Sequence, residues 1–462
     1  MNFKVYNRSQ NLLLPPSFSD FLGESHEAVV LCELLGELDL SCLEEGYTNG
    51  SGGRSAYHPS MLLSVLLYGY MNGVFSSRKI AGKLKQDLAF MYLAGKQTPD
   101  FRTLCRFRRE KGACLEDVFK TIVDKARRLG FVAFGTVSLD GTKLKANANK
   151  EKNETQDSLE EKIRKLMEEA ERIDAMEDEL LGDQEDDVDP QLKTKEGRAK
   201  RKRELEKKRE QTSSHLKQRP ASEPGVSKDT KLNTTDPDSK LMKMKRGGFA
   251  NGYNVQIISE NGFVLASHIA GTSADQNLLI PTLQAFRDAH RTNPTRLLAD
   301  KGYSSEDNFA FCESEGIDAY IPIHQDPLDL SVYTYDPEHD AYAHQDGRIF
   351  RFKQRMKKRK GDTQIDGQDY RHTIYEHIDE TTKKKSYLCI SPNWQRLAAK
   401  HKRRLAAPEG KERYKKRMPD VEGVFGNIKH NLGFTGFLLR GLTGARIEWN
   451  MITLAHNLKK LI

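Results

Sequence analysis

Over the first 130 residues the apolar positions recur at helical spacing. Pro59-Ser60 opens a run with Met61, Leu62, Val65 and Leu66 that closes near Gly73. Ser76-Ser77 can cap a second helix carrying Arg78, Lys79 and Ile80. A third stretch, Leu88 to Leu93, precedes Pro99-Asp100, and Arg102, Arg106, Arg108 and Arg109 follow on the next helix. Short capped helices with a basic face fit a helix-turn-helix-like DNA binder, beside the commoner alternative of a plain helical bundle.

From residue 134 the pattern changes to short β-branched runs. Phe134 to Leu139 is apolar and ends at Asp140-Gly141. Much further on, Tyr253 to Ser259 and Gly262 to His268 form two strands joined at Asn261-Gly262, a strong hairpin signal. A helix from about 276 to 290 leads into Arg296 to Ala299, which ends at Asp300. Another helix, about 305 to 314, leads into Ala319 to Ile323. The series closes with a helix in which Val421, Val424, Phe425 and Ile428 fall at i, i+3, i+4, i+7. Three antiparallel strands followed by α-β-α-β-α is the order of a ribonuclease H-like α/β domain, a mixed sheet covered by helices.

Two insertions interrupt that order. Residues 149–246 are highly charged. Leu159, Ile163, Leu166, Ala170, Ile173, Met176 and Leu180 repeat at spacings of three and four, the mark of an amphipathic or coiled-coil helix. An acidic tract (183–189), a basic helix near 200–209 and a Pro/Ser-rich linker follow, so a helical hairpin is expected, its stripe covered by its own return helix or by a second protomer. Residues 324–395 look β-rich, and seven of the ten residues from Arg351 to Lys360 are Lys or Arg. That run is either a solvated loop or a phosphate-contacting one. The expected division is a helical N-terminal domain (1–130), a catalytic core (131–148 and 247–323), the two insertions (149–246 and 324–395), and C-terminal helices completing the core (396–462). The last helix, about 445–461, has a plain packing face.

Composition narrows the setting. The chain has 462 residues, 37 % hydrophobic and 30 % charged, with a formal net charge of +8. No apolar run approaches a membrane span and Met1 to Leu13 has no signal-peptide core, so a cytoplasmic location without membrane contact is expected. Six cysteines occur without any CxxC, which indicates neither a disulfide framework nor a zinc site. The positive charge gathers in blocks: from Arg396 to Lys429 eleven Lys or Arg stand against four acids. A polyanionic partner fits that distribution.

Three carboxylates stand out against this background. Asp140 and Asp300 each follow a strand that can be central to the sheet, and Glu422 sits on the helix that should cross it. Each has a plainer reading: a turn at Asp140-Gly141, a helix N-cap at Asp300, a surface glutamate at 422. Converging at the ends of the first and fourth strands of such a sheet, the three would repel unless cations share the site, and Mg²⁺ prefers oxygen ligands of this kind. Two metals about 3.5–4 Å apart can serve both the attacking and the leaving oxygen of a phosphoryl displacement.

At this point the sequence resembles a known family, the DDE transposases of bacterial insertion sequences. The resemblance runs through YHPSMLLSVLLYGY, FSSRKIAGKLKQDLAF and PDFRTLCRFRR, then VSLDGTKLKANA, DPDSKLMKMKRGGFANGYNVQ and LLADKGYSS. It ends with VEGVFGNIKHNLGFTGFLLRGLTGARIEW. It implies that Asp140, Asp300 and Glu422 are the catalytic, metal-binding triad, holding two Mg²⁺ or Mn²⁺ ions. It also implies that the protein binds the terminal inverted repeats and target DNA as double strands, cuts and joins them, and works as a homodimer on paired ends in the bacterial nucleoid. Many relatives carry a Tyr-x2-Arg-x3-Glu-x6-Lys signature around the glutamate. Tyr414, Arg417, Glu422 and Lys429 match it, with one extra residue between Arg417 and Glu422. Lys429 is thereby a phosphate contact, with Arg417 and Tyr414 as further DNA contacts. Some relatives have a cysteine cluster in the second insertion; here only Cys389 stands there. The competing readings are a domesticated DNA-binding regulator and a metal-dependent nuclease without strand transfer.

Overall fold

The computed structural model describes residues 17–47, 55–179, 194–217, 231–245, 247–324, 326–357 and 370–462. Chain order begins with seven helices: α1 (Phe18–Leu22), α2 (Glu27–Gly36), α3 (Pro59–Met71), α4 (Ser77–Lys83), α5 (Leu88–Leu93), α6 (Phe101–Glu110) and α7 (Gly112–Arg128). Ser76 stands at the N-cap of α4 as expected but makes no side-chain capping bond, and other helix starts are capped instead. His58 precedes Pro59 and accepts from Ser60 N–H, and the Asp100 carboxylate accepts from Thr103 N–H.

The central sheet follows. β1 (Thr136–Lys145) pairs antiparallel with β5 (Phe249–Glu260) and parallel with β7 (Arg296–Ala299). β5 pairs on its far side with β4 (Lys240–Lys243) and with β6 (Phe263–Ala270), and β7 pairs in parallel with β8 (Asp318–Tyr320). The β5–β6 hairpin turns through Asn261 and Gly262, with φ of +52° and +75°, which is why an Asn-Gly pair stands there. Helix α10 (Leu279–His290) leads from β6 to β7, and α11 (Glu306–Ser314) from β7 to β8.

β1 is longer than the apolar run suggests. It continues through Asp140-Gly141 to Lys145 because β5 keeps pairing with it as far as Gly252. The turn reading of Asp-Gly is thereby excluded. β4 was not foreseen; its four residues KLMK bury only Met242 and leave Leu241 exposed, too short an alternation to read.

The charged insertion is a helical hairpin, α8 (Gln156–Glu179) against α9 (Lys195–Lys217), rooted on a two-residue ladder of β2 (Asn153–Glu154) and β3 (Leu232–Asn233). Leu159 and Ile173 on α8 and Leu205 on α9 are buried, and Arg201 meets Glu169 at 2.8 Å. The stripe is thus covered by its own return helix. Leu180, the acidic tract and the Pro/Ser-rich linker lie outside the described residues. The second insertion is a five-stranded antiparallel sheet, β9 (Tyr333–Asp336), β10 (Ala341–His344), β11 (Ile349–Lys357), β12 (Tyr370–Ile378) and β13 (Lys385–Ile390), in sequential order. Phe350, Tyr375, Leu388 and Ile390 form its small separate core. The basic run begins on β11; residues 358–360 lie outside the description.

The chain returns through α12 (Pro392–Ala406), α13 (Pro408–Lys415), α14 (Arg417–Gly426), a π-helical turn (Asn427–Asn431) and α15 (Gly441–Leu461). α14 buries Val421, Val424 and Phe425, with Ile428 continuing the stripe, and packs on β1 and β5. α15 is enclosed rather than merely amphipathic. It packs against α3 and α7 on the helical side and against β6 of the sheet, so that Trp449, Thr453 and Asn457 are all buried. Asn457 bridges into β6 by accepting from Val264 N–H and donating to its carbonyl. One continuous hydrophobic core therefore runs from the N-terminal helices through α15 into the sheet.

Candidate functional site

In the parallel pairing of β1 with β7 the last partners are Leu139 and Ala299. The next residues, Asp140 within β1 and Asp300 just past β7, therefore stand side by side where the parallel pairing ends. Asp300 also caps the short helical turn Lys301–Tyr303, its Oδ1 accepting from Gly302 N–H. The N-cap reading and the site reading are thus compatible.

The face carrying Asp140 also carries Ser138 and Thr142, and α14 with its π turn meets all three. Ser138 Oγ donates to Asp420 Oδ2 at 3.1 Å, the Arg417 guanidinium lies 3.5 Å from Asp140 Oδ2, and Lys429 Nζ bonds Thr142 Oγ1. Arg417 in turn shares a hydrogen bond with Tyr414. Two of the four signature residues, Arg417 and Lys429, are accordingly drawn to the strand of Asp140 despite the extra residue in the spacing.

Burial pushes the Asp140 carboxyl up from its ordinary pKa, against the pull of Arg417 and of the Gly141 N–H, and the Asp300 and Asp275 charges add to the upward push. Asp275 is the residue that pattern reading missed. It precedes a short helical turn (Gln276–Leu278), with nothing in its spacing to mark it, yet it lies near enough to bear on Asp140.

Glu422 sits, as expected, on the helix that packs across β1 and β5. It lies next to the buried Val421 but on the exposed flank of α14, and among the described residues no three His, Cys, Asp or Glu side chains are grouped as a metal site. The sheet brings two of the three carboxylates together, and the exposed Glu422 is not grouped with them among the described residues.

Of the N-terminal basic residues, Arg78, Lys79, Arg102, Arg106 and Arg109 are exposed. Arg78 and Arg102 flank the Phe101 ring at 4.8 and 5.8 Å from its centre. Arg108 corrects the expectation of a DNA contact. It is 3 % exposed, donates to the Tyr70 hydroxyl at 2.7 Å and pairs with buried Glu448 at 3.3 Å. Glu448 Oε2 accepts from the N–H groups of Leu438 and Leu439, so the pair ties α6 to α15 and to the loop before it.

Residues 16–110 match the model of a family described as Transposase domain (DUF772), and residues 375–462 match that of a Transposase DDE domain. The chain is a DDE transposase of the insertion-sequence type. Comparison with curated proteins and with solved structures gives no match.

A DDE transposase is an enzyme that acts on DNA and depends on a divalent metal. The donor set suits such an ion. Asp140 and Asp300 offer hard oxygens, and burial, with smaller contributions from the Asp300 and Asp275 charges, pushes the Asp140 carboxyl up against the pull of Arg417. Among the described residues no helix is long and apolar enough to cross a membrane.

Proposed function

We propose that this transposase binds the terminal inverted repeats of its element, cuts the DNA there and joins the ends to a target, using Asp140, Asp300 and Glu422 on a ribonuclease H-like sheet. The strand order β6-β5-β1-β7-β8, antiparallel then parallel, supports that fold, and it is the adjacency of Asp140 and Asp300 across the parallel pair that carries the reading. Two Mg²⁺ or Mn²⁺ ions, when bound, would supply activation of the attacking water or 3′-hydroxyl and stabilisation of the leaving oxygen. Asp140 and Asp300 would hold them. Glu422, exposed on the helix that packs on β1 and β5, would complete the ligand set. Arg417 and Lys429, which reach the strand of Asp140, are placed to take the DNA phosphates as fork and point contacts, respectively.

The N-terminal helices read the ends through Arg78, Lys79, Arg102, Arg106 and Arg109, and the helical hairpin supports the pairing of two protomers on two ends. The test is to supply DNA carrying the element's ends, Mg²⁺ and a target plasmid. Joined product is expected. Ends cut but never joined would make the protein a nuclease, and ends only bound would make it a regulator.

A further inference from the structure

Beneath the Asp140–Asp300 pair lies a buried polar network that the triad reading does not use. β5 sets Gln256 opposite Gly141, and the Gln256 side chain crosses that glycine so closely that a Cβ there would lie 2.2 Å from Nε2. The glycine after Asp140 is needed for clearance. Gln256 and Asn254 are fully buried, and Tyr303 is 1 % exposed. Gln256 Nε2 donates to Asp275 Oδ1 at 2.9 Å and to Asn254 Oδ1 at 3.0 Å, and its Oε1 accepts from the Tyr303 hydroxyl. Asn254 Nδ2 donates to the same Asp275 oxygen at 2.7 Å. Tyr303 closes the turn that begins at Asp300, its N–H donating to the Asp300 carbonyl at 3.2 Å. Asn308 Nδ2 then ties the Tyr303 carbonyl to the Gln276 carbonyl, each at 2.7 Å.

A carboxylate only accepts, whereas an amide has one donating and one accepting end. Asp275 therefore decides which end of Gln256 faces it, and Gln256 must then turn Oε1 toward Tyr303. Orientation passes from Asp275 through Gln256 to the Tyr303 hydroxyl. At Tyr303 it fixes the turn that presents Asp300, and at Gln256 it fixes the strand beside Asp140.

We propose that Asp275 is a positioning residue of the transposase centre, holding the Asp140 and Asp300 carboxylates in register through Gln256 and Tyr303. The proposal rests on the reading of Asp140 and Asp300 as metal ligands; Asp275 itself does not ligate. Outer-shell partners of this kind cost about 10–100-fold in metal affinity or activity when removed.

The experiment uses full-length wild type, Asp275→Ala, Asp275→Asn, Tyr303→Phe and Asp300→Asn. It measures Mn²⁺ binding by titration calorimetry, the Mg²⁺ needed for half-maximal end cleavage, end-DNA affinity and melting temperature. Asp275→Ala should weaken Mn²⁺ binding and raise the Mg²⁺ requirement by about 10–100-fold while leaving DNA affinity unchanged. Asp275→Asn keeps an oxygen for both donors but can also turn its donating end to them, so it should fall between wild type and Asp275→Ala. Tyr303→Phe, which loses one hydroxyl, should shift in the direction of Asp275→Ala and carries the test if that variant does not fold. Unchanged metal dependence in Asp275→Ala and Tyr303→Phe, with Asp300→Asn defective, overturns the positioning role alone. Asp275→Asn as damaged as Asp275→Ala also overturns it. Normal Mn²⁺ binding by Asp300→Asn removes the triad reading and the proposal with it.

Discussion

Arg108 shows how one residue can be misread from charge alone. It lies four positions after buried Leu104 and next to buried Phe107, on the apolar side of α6, while Arg102, Arg106 and Arg109 fall together on the opposite side. The arginine cluster was legible in the sequence; which of its members faces inward follows from that helical phase. Removing Arg108 leaves Glu448 buried without a countercharge, so Arg108→Ala should cost roughly 3–5 kcal/mol of stability, read as a lowered melting temperature. Its DNA binding, measured below that temperature, should keep the wild-type salt dependence. Arg106→Ala should do the reverse, leaving stability nearly unchanged and lowering the slope of log affinity against log salt by about one. Equal salt slopes for Arg106→Ala and wild type would remove α6 from the DNA interface. The catalytic candidates were legible to a similar degree. Asp140 and Asp300 are marked by the strands they end or extend, whereas Asp275 and Gln256 matter through contacts between segments that no local pattern reveals.

At the level of elements, the insertions were visible as changes of composition and period, and their partners were not. The stripe of α8 could have faced α9 or another chain; Leu205 and the Arg201–Glu169 pair decide for α9. The β2–β3 ladder brings Asn153 and Asn233 side by side at the root of the hairpin. Replacing the segment between them by a short turn should therefore leave a folded protein that binds single ends. We predict that it pairs two ends poorly, as seen by native gel; normal pairing would show the hairpin to be dispensable. A second element-level prediction concerns α12 on α11. His401 stacks 3.9 Å from Phe309 and is 4 % exposed, and burial with the charges of Arg404 and Lys400 brings its pKa down to about 4. The unfolded imidazole titrates near 6.5, so between about pH 6.5 and 4 the unfolded chain binds the extra proton. The contribution of this stack is present above pH 6.5 and is lost as pH falls through that window. His401→Phe should flatten the fall in stability there relative to wild type, and identical slopes would contradict the assignment.

For the molecule as a whole, the enclosure of α15 changes what the N-terminal helices can do alone. Their core includes Trp449, Met451 and Leu454, and Gly73, with φ of +70°, approaches the Leu432 carbonyl so closely that a Cβ would lie 2.8 Å from it. A helical N-terminal domain over residues 1–130 was a natural reading of local periodicity, which carries no information about a helix more than 300 residues away. Residues 1–130 expressed alone should expose that face and bind a hydrophobic dye, and supplying α15 by fusion should suppress the binding. The same long-range arrangement sets the central question, because the pair that β1 and β7 bring together comes from strands far apart in the chain. Cleavage of labelled end DNA by Asp300→Asn under single-turnover conditions, with binding followed in parallel, addresses that pair most directly. The substitution keeps size and removes a charge that repels phosphate, so binding should persist or tighten while cleavage falls by orders of magnitude. Cleavage near the wild-type rate would contradict the account.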